Sequence, residues 1–264
     1  MLFKLLDQVV SRINALDLKK ETPTFLNELK RACPNYGESL HKSMVKKGTK
    51  EEVIKLIEQS VALAMLKSVK DIPKIVEMMV SKINDKRTSP ALCCALVGGL
   101  ALLVKPRDLI PDDAPGGYGF LDDAILLRAA LIEYMNVLPP DAINEEKERR
   151  YLQLLSIGIP PRVLPAMQTA ITGIQLGVRI LNQLPPFLLE YTTQLLIQNP
   201  MLAEIQSPPP GMQPTDTYKL PSQTQIRNML GQTLLVEGGN VSMTFSDGGS
   251  AFLSESGDLL VVTD

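Results

Sequence analysis

The sequence predicts a mainly α protein that ends in a small C-terminal β-meander. Three observations carry that reading. Apolar residues recur at three- and four-residue spacing through the first third of the 264 residues. An uncharged apolar run with an acidic, Pro/Gly-rich break lies near the middle, and short period-two runs close the chain. Hydrophobic residues make up 45% and charged residues 21%, which is enough apolar surface for a packed core and excludes disorder over the whole length.

Charge divides the chain into four segments. Residues 1–90 carry 17 Lys/Arg against 11 Asp/Glu, and residues 91–150 carry 6 against 10. Residues 151–207 hold only Arg162, Arg179, Glu190 and Glu204, and residues 208–264 hold two cations against six acids. A net charge of −2 provides no global field for nucleic acid and argues against it as a partner. The N-terminus MLFKLLDQVV becomes charged too soon for a secretory signal, so a cytoplasmic protein is expected.

In the first segment Leu2, Leu5, Leu6, Val9, Val10 and Ile13 share one helical face. Thr49 is placed to cap a helix whose first turn holds Glu51 and Glu52 and which continues through Val53 to Met65. Asp71 followed by Pro73 marks the start of the next helix. Lys46, Lys47, Lys50 and Lys55 are read as a solvated face rather than an anion-binding stripe, because acids interrupt them.

The third segment predicts helices over about 163–182 and 186–198, joined at Pro185-Pro186. Such uncharged helices must bury most of their perimeter against the protein's own core, a second subunit or lipid. The 16 uncharged residues 163–178 fall short of the roughly 20 that a membrane span needs. Ser207-Pro208-Pro209-Pro210-Gly211 reads as a stiff linker. Beyond it, Thr233–Val236, Val241–Phe245, Ala251–Leu253 and Leu259–Val262, separated by Gly-rich turns, make about four strands. A sheet this small is marginal alone and is expected to dock on the helices or on another chain. The helical body is expected to fold without 208–264.

The most distinctive stretch is 91–135. An apolar helix from Ala91 to Val104 runs into Lys105-Pro106-Arg107-Asp108-Leu109-Ile110-Pro111-Asp112-Asp113, then a bend Ala114–Phe120, then Leu121-Asp122-Asp123-Ala124. The pattern is an apolar helical hairpin with an acidic, Pro/Gly-rich connection. Pro106, Asp108, Leu109, Ile110, Pro111, Asp112, Gly119, Leu121, Asp122 and Asp123 match, position by position, a Pro-x-Asp-Leu-Ile-Pro-Asp run and its Gly-aromatic-Leu-Asp-Asp return. In these residues the stretch resembles the YkvA-like domains of unknown function. That resemblance implies a fold element without an activity, and the membrane association of some members of that family implies that a membrane surface is an open option.

Two readings of the acids stand side by side. Asp108, Asp112, Asp122 and Asp123 are the candidate metal ligands for Mg²⁺ or Ca²⁺, because hard cations take clustered oxygens. The preferred reading is structural and needs no cofactor. In it Asp108 and Asp112 bond backbone amides, Asp122 and Asp123 cap the second helix, and Lys105, Arg107 and Arg128 serve as counter-charges. No nucleophile or base accompanies the acids, so no catalytic residue is assigned. His41 is the one histidine, which excludes sites that need two. Cys93-Cys94, inside an apolar helix, read as buried small hydrophobes, and Gly98-Gly99 as a close-packing surface.

Three functions follow in order of preference. The first is a non-enzymatic interaction or scaffold protein with a protein partner or a second copy. The second is a peripheral membrane protein that presents 88–104 or 163–178 to lipid. The third is a divalent-cation-dependent hydrolase at the acidic hairpin.

Overall fold

A computed structural model describes residues 1–105, 109–135, 144–203 and 218–261. The helices are α1 (Leu2–Asn14), α2 (Leu18–Ala32), α3 (Pro34–Lys46), α4 (Glu51–Lys70), α5 (Ile72–Asn84), α6 (Pro90–Leu102), α7 (Leu121–Met135), α8 (Glu145–Ser156), α9 (Leu164–Leu181), α10 (Pro186–Gln198) and α11 (Gln223–Gln232). Strands β1 (Leu234–Leu235), β2 (Val241–Thr244), β3 (Ser250–Leu253) and β4 (Leu259–Val261) follow. The mainly α class with a small C-terminal β-meander is what the sequence predicts.

Local chemistry accounts for most boundaries. Asp17 accepts hydrogen bonds from the Lys19 and Lys20 N–H groups at the start of α2, Ser89 from Leu92 in α6, and Asn144 from Lys147 in α8. Proline opens α3, α6 and α10, and Pro73 lies in the first turn of α5. One capping expectation is corrected. The residue that caps α4 is Lys50, without a side-chain bond, while the Thr49 hydroxyl points to Met44 Sδ at 3.9 Å. The reason lies in the end of α3, where the Thr49 N–H bonds the Met44 carbonyl and holds Thr49 to the preceding helix.

α4 is the central strut. It packs against α1, α2, α3, α5, α7 and α8 and also meets β1, β2 and β3. Along its middle Ile57, Val61, Met65 and Val69 are fully buried. α6 lies against α5, α7, α9 and α10. Among the described residues no helix is long and apolar enough to cross a membrane.

The sheet is an antiparallel meander in the order β1-β2-β3-β4, with Val241 opposite Leu253 and Leu253 opposite Leu259. Period-two alternation turns Val241, Met243, Ala251, Leu253 and Leu259 into one buried face. That face meets the helical body, with α11 on β2 and α8 on β4. The core cluster is continuous from Leu2 to Leu259.

Helix α11 was not anticipated from the sequence. Its signal is a capping box in which the Ser222 hydroxyl accepts from the Gln225 N–H while the Gln225 side chain accepts from the Ser222 N–H.

Candidate functional site

The hairpin motif is α6, the connection and α7. The two helices pack on each other, and Gly99 supplies close approach, since a Cβ there would come within 3.1 Å of the Tyr134 hydroxyl and 3.3 Å of Met79 Cε. Cys94 is buried and Cys93 partly so; burial raises both thiols above their ordinary value.

In the connection, Asp122 Oδ2 accepts the backbone N–H groups of Leu109 at 2.8 Å and Ile110 at 3.0 Å. A carboxylate in the first turn of α7 therefore reaches back thirteen residues and pins the descending chain. Asp123, beside it, is also buried. Among the described residues, the carboxylate of Asp112 bonds Arg12 and not the turn. Its Oδ2 pairs with Arg12 Nη1 at 2.8 Å, while Arg12 Nη2 donates to the Asp112 carbonyl at 3.0 Å. The same guanidinium lies 4.9 Å from the centre of the Phe120 ring, so α1 clamps the connection with charge and cation–π contact together.

The bend itself is tight. Gly116 has φ 70°, and a Cβ there would fall 2.5 Å from the Phe25 nitrogen of α2. Gly119 lets the strand of chain at Pro111 and Asp112 cross it, because a Cβ would meet the Pro111 carbonyl at 2.5 Å. Between these glycines Tyr118 enters the core, donates to the Gly158 carbonyl at 2.6 Å and meets Phe25 edge-on at 5.5 Å between ring centres. Its hydroxyl touches Cys33 Sγ at 4.0 Å. Burial pushes the Cys33 thiol up to about 12, against a smaller downward pull from Tyr118.

Of the four candidate ligands, Asp112, Asp122 and Asp123 are thus placed, and Asp108 lies outside the described residues, as does Arg107. Among the described residues no group of three or more His, Cys, Asp and Glu side chains is arranged to hold a metal ion. The counter-charge expected from Arg128 goes elsewhere. Arg128 is buried, reaches Glu148 at 2.5 Å, the Ser68 carbonyl at 3.2 Å and Asp71 at 3.6 Å, and stacks 4.1 Å from the Tyr151 ring centre. It joins α4, α7 and α8. Its position, six residues after Asp122, turns it about 240° around the helix, so spacing alone separates it from the acidic face. Arg12, the cation that does serve Asp112, lies 100 residues upstream and left no local signal.

His41 Nδ1 is 3.7 Å from Glu51 Oε2 in an exposed crevice between α3 and α4. The segments considered for lipid contact spend their apolar faces inside. Within 88–104, Leu92, Leu96, Val97 and Leu100 are buried in α6, and within 163–178, Met167, Ile171 and Ile174 are buried in α9. Exposed apolar surface appears instead on α10, where Phe187 is 67%, Tyr191 63% and Leu188 38% accessible. The sequence shows α10 as nearly uncharged, with Glu190 its one charge, but not which side faces out.

None of the curated proteins and none of the solved structures compared with the chain matches it. Residues 93–128, which span most of α6, the connection and the first half of α7, match the model of a family described as a protein of unknown function (DUF1232), in agreement with the YkvA-like resemblance of the motif.

Proposed function

We propose that this is a non-enzymatic interaction protein that binds a protein surface through the outer face of α10. The observation that carries the reading is the group Phe187, Leu188 and Tyr191, exposed together on consecutive turns of one helix. Large aromatic side chains exposed side by side cost solvation and are characteristic of contact surfaces. Glu190 is the one charged residue of α10, and such sparse charge suits the middle of a protein interface. The hairpin motif serves this role as scaffold: the side chains of Asp122, Asp112 and Tyr118 tie the connection together, and α6 underlies α10.

The test is a photo-crosslinking amino acid at Tyr191 in cells that make the protein. Protein adducts that disappear when Phe187→Asp is added support the reading. Adducts to lipid alone would replace it with peripheral membrane binding, and the absence of any adduct would remove the surface from consideration.

A further inference from the structure

A cavity of about 310 Å³ lies between α6, α9 and α10. Its walls include Gly98 and Tyr134 on one side and Gly177 and Thr192 on the other, and its mouth is formed by the half-exposed Ile180 and Leu202. Among the described residues no charged side chain lines it. We propose that this cavity is a binding site for a single alkyl chain, the hydrocarbon tail of a free fatty acid or of a lipid.

Water is a poor occupant. The space corresponds to about ten water molecules at roughly 30 Å³ each, and those against its walls find little to bond there but one another. The polar side chains on offer are few, and one of them, the Tyr134 hydroxyl, already donates to the Ala95 carbonyl at 2.6 Å. An alkyl chain makes no such demand, and the volume suits about ten carbons, a size at the lower end of small-molecule sites.

The glycines point the same way. Gly98 and Gly177 lie inside α6 and α9, where glycine weakens a helix relative to alanine. A packing constraint would explain them, as it does for Gly99, whose Cβ would touch Tyr134 and Met79. At Gly98 and Gly177 a Cβ would meet nothing within 4 Å among the described residues. Alanine would fit and would strengthen both helices, so what these two glycines provide is the open space itself. The exposed apolar rim of Ile180 and Leu202 then gives a chain a route in without crossing a polar barrier.

This inference is independent of the contact surface on α10. Calorimetric titration of the full-length protein with 1-decanol and with dodecanoate tests it, alongside flotation with phosphatidylcholine vesicles. Saturable 1:1 binding of decanol is expected, with affinity falling at least tenfold in Gly98→Leu and, as a second variant on a different helix, in Gly177→Leu. Gly98→Ala should fold with an unfolding temperature no lower than the parent, because its methyl group enters empty space. Dodecanoate binding without flotation identifies a free amphiphile as the source of the chain, and flotation lost in Gly177→Leu identifies a membrane lipid. Binding unchanged in both leucine variants, or no saturable binding at millimolar decanol, overturns the proposal. Crosslinking at Tyr191 should persist in Gly98→Leu, so the two readings fail separately.

Discussion

A carboxylate that accepts two amide N–H groups in the interior is worth more than one that pairs with a half-exposed guanidinium, and the acidic connection contains both. Asp122→Ala leaves the Leu109 and Ile110 amides without their acceptor, and hydrogen bonds to a buried charged group imply a loss of about 3 kcal/mol. Arg12→Met removes a pair whose side chains are 49% and 32% exposed, together with the stacking on Phe120, for about 1 kcal/mol. Urea unfolding of the two variants should therefore rank Asp122 well above Arg12; equal losses would mean that the amide clamp does not hold the connection. With these carboxylates engaged, the unfolding temperature should be the same in EDTA and in millimolar Mg²⁺ or Ca²⁺. A bound ion at a hundredfold excess over its dissociation constant would add about 2.7 kcal/mol, and a rise abolished by Asp112→Asn would restore the cation reading. The sequence made the acids conspicuous and placed Asp122 at the start of a helix. Their partners were invisible, because Arg12 is brought to Asp112 by the packing of α1 and not by any local pattern.

Among the elements, the sheet is attached through charge as well as through its apolar face. Lys67 of α4 reaches Asp258 at 2.6 Å, Arg150 of α8 reaches Asp247 at 2.5 Å, and Gln153 adds a bond to Asp247 at 3.2 Å. Arg150 also pairs with Glu146 on its own helix. Hydrogen bonding from Lys67 and Ser256 holds Asp258 below the ordinary carboxylate value. Burial pushes Asp247 upward, but the bonds from Arg150, the Gly249 amide and Gln153 together outweigh it, and the net direction is down. Depressed carboxylates add stability above their unfolded value of about 4 and lose it as pH falls through the lower folded value. The unfolding temperature should thus be level from neutral pH to about 5 and fall below about 4. Asp247→Asn with Asp258→Asn should lower it at pH 7 and flatten the acid limb; both aspartates are half exposed, so the change should be modest. An acid limb unaltered in the double variant would place the sensitivity elsewhere. Helix periods and proline positions located α9 and α10 to within a residue or two. α11 escaped because its apolar content is slight, with Ile226, Met229 and Leu230 as its buried residues, and its capping box was the only strong mark it carried.

At the scale of the molecule, the alternation in the last strands identified a buried face but not what buries it. The answer is the helical body: Ile226, Met229 and Leu230 of α11 and Val241, Met243, Phe245, Leu253 and Leu259 of the sheet region belong to the same cluster as α4, and α11 lies along α3. Pairing across such sequence distances is set by three-dimensional packing, which no local period encodes. It also reverses the outcome expected for removal of residues 208–264. The faces of α3, α4 and α8 that these side chains cover would open to water, each large apolar group withdrawn from the core being worth about 2 kcal/mol. Eight such groups amount to as much as the whole stability of a typical domain, about 5–15 kcal/mol. The truncated chain should therefore lose cooperative thermal unfolding, bind a hydrophobic dye and show reduced helical circular dichroism. The helices would then owe their order to the meander that follows them. A truncated chain that melts cooperatively near the full-length temperature would make the sheet an appendage, and the core would have to close over α4 without it.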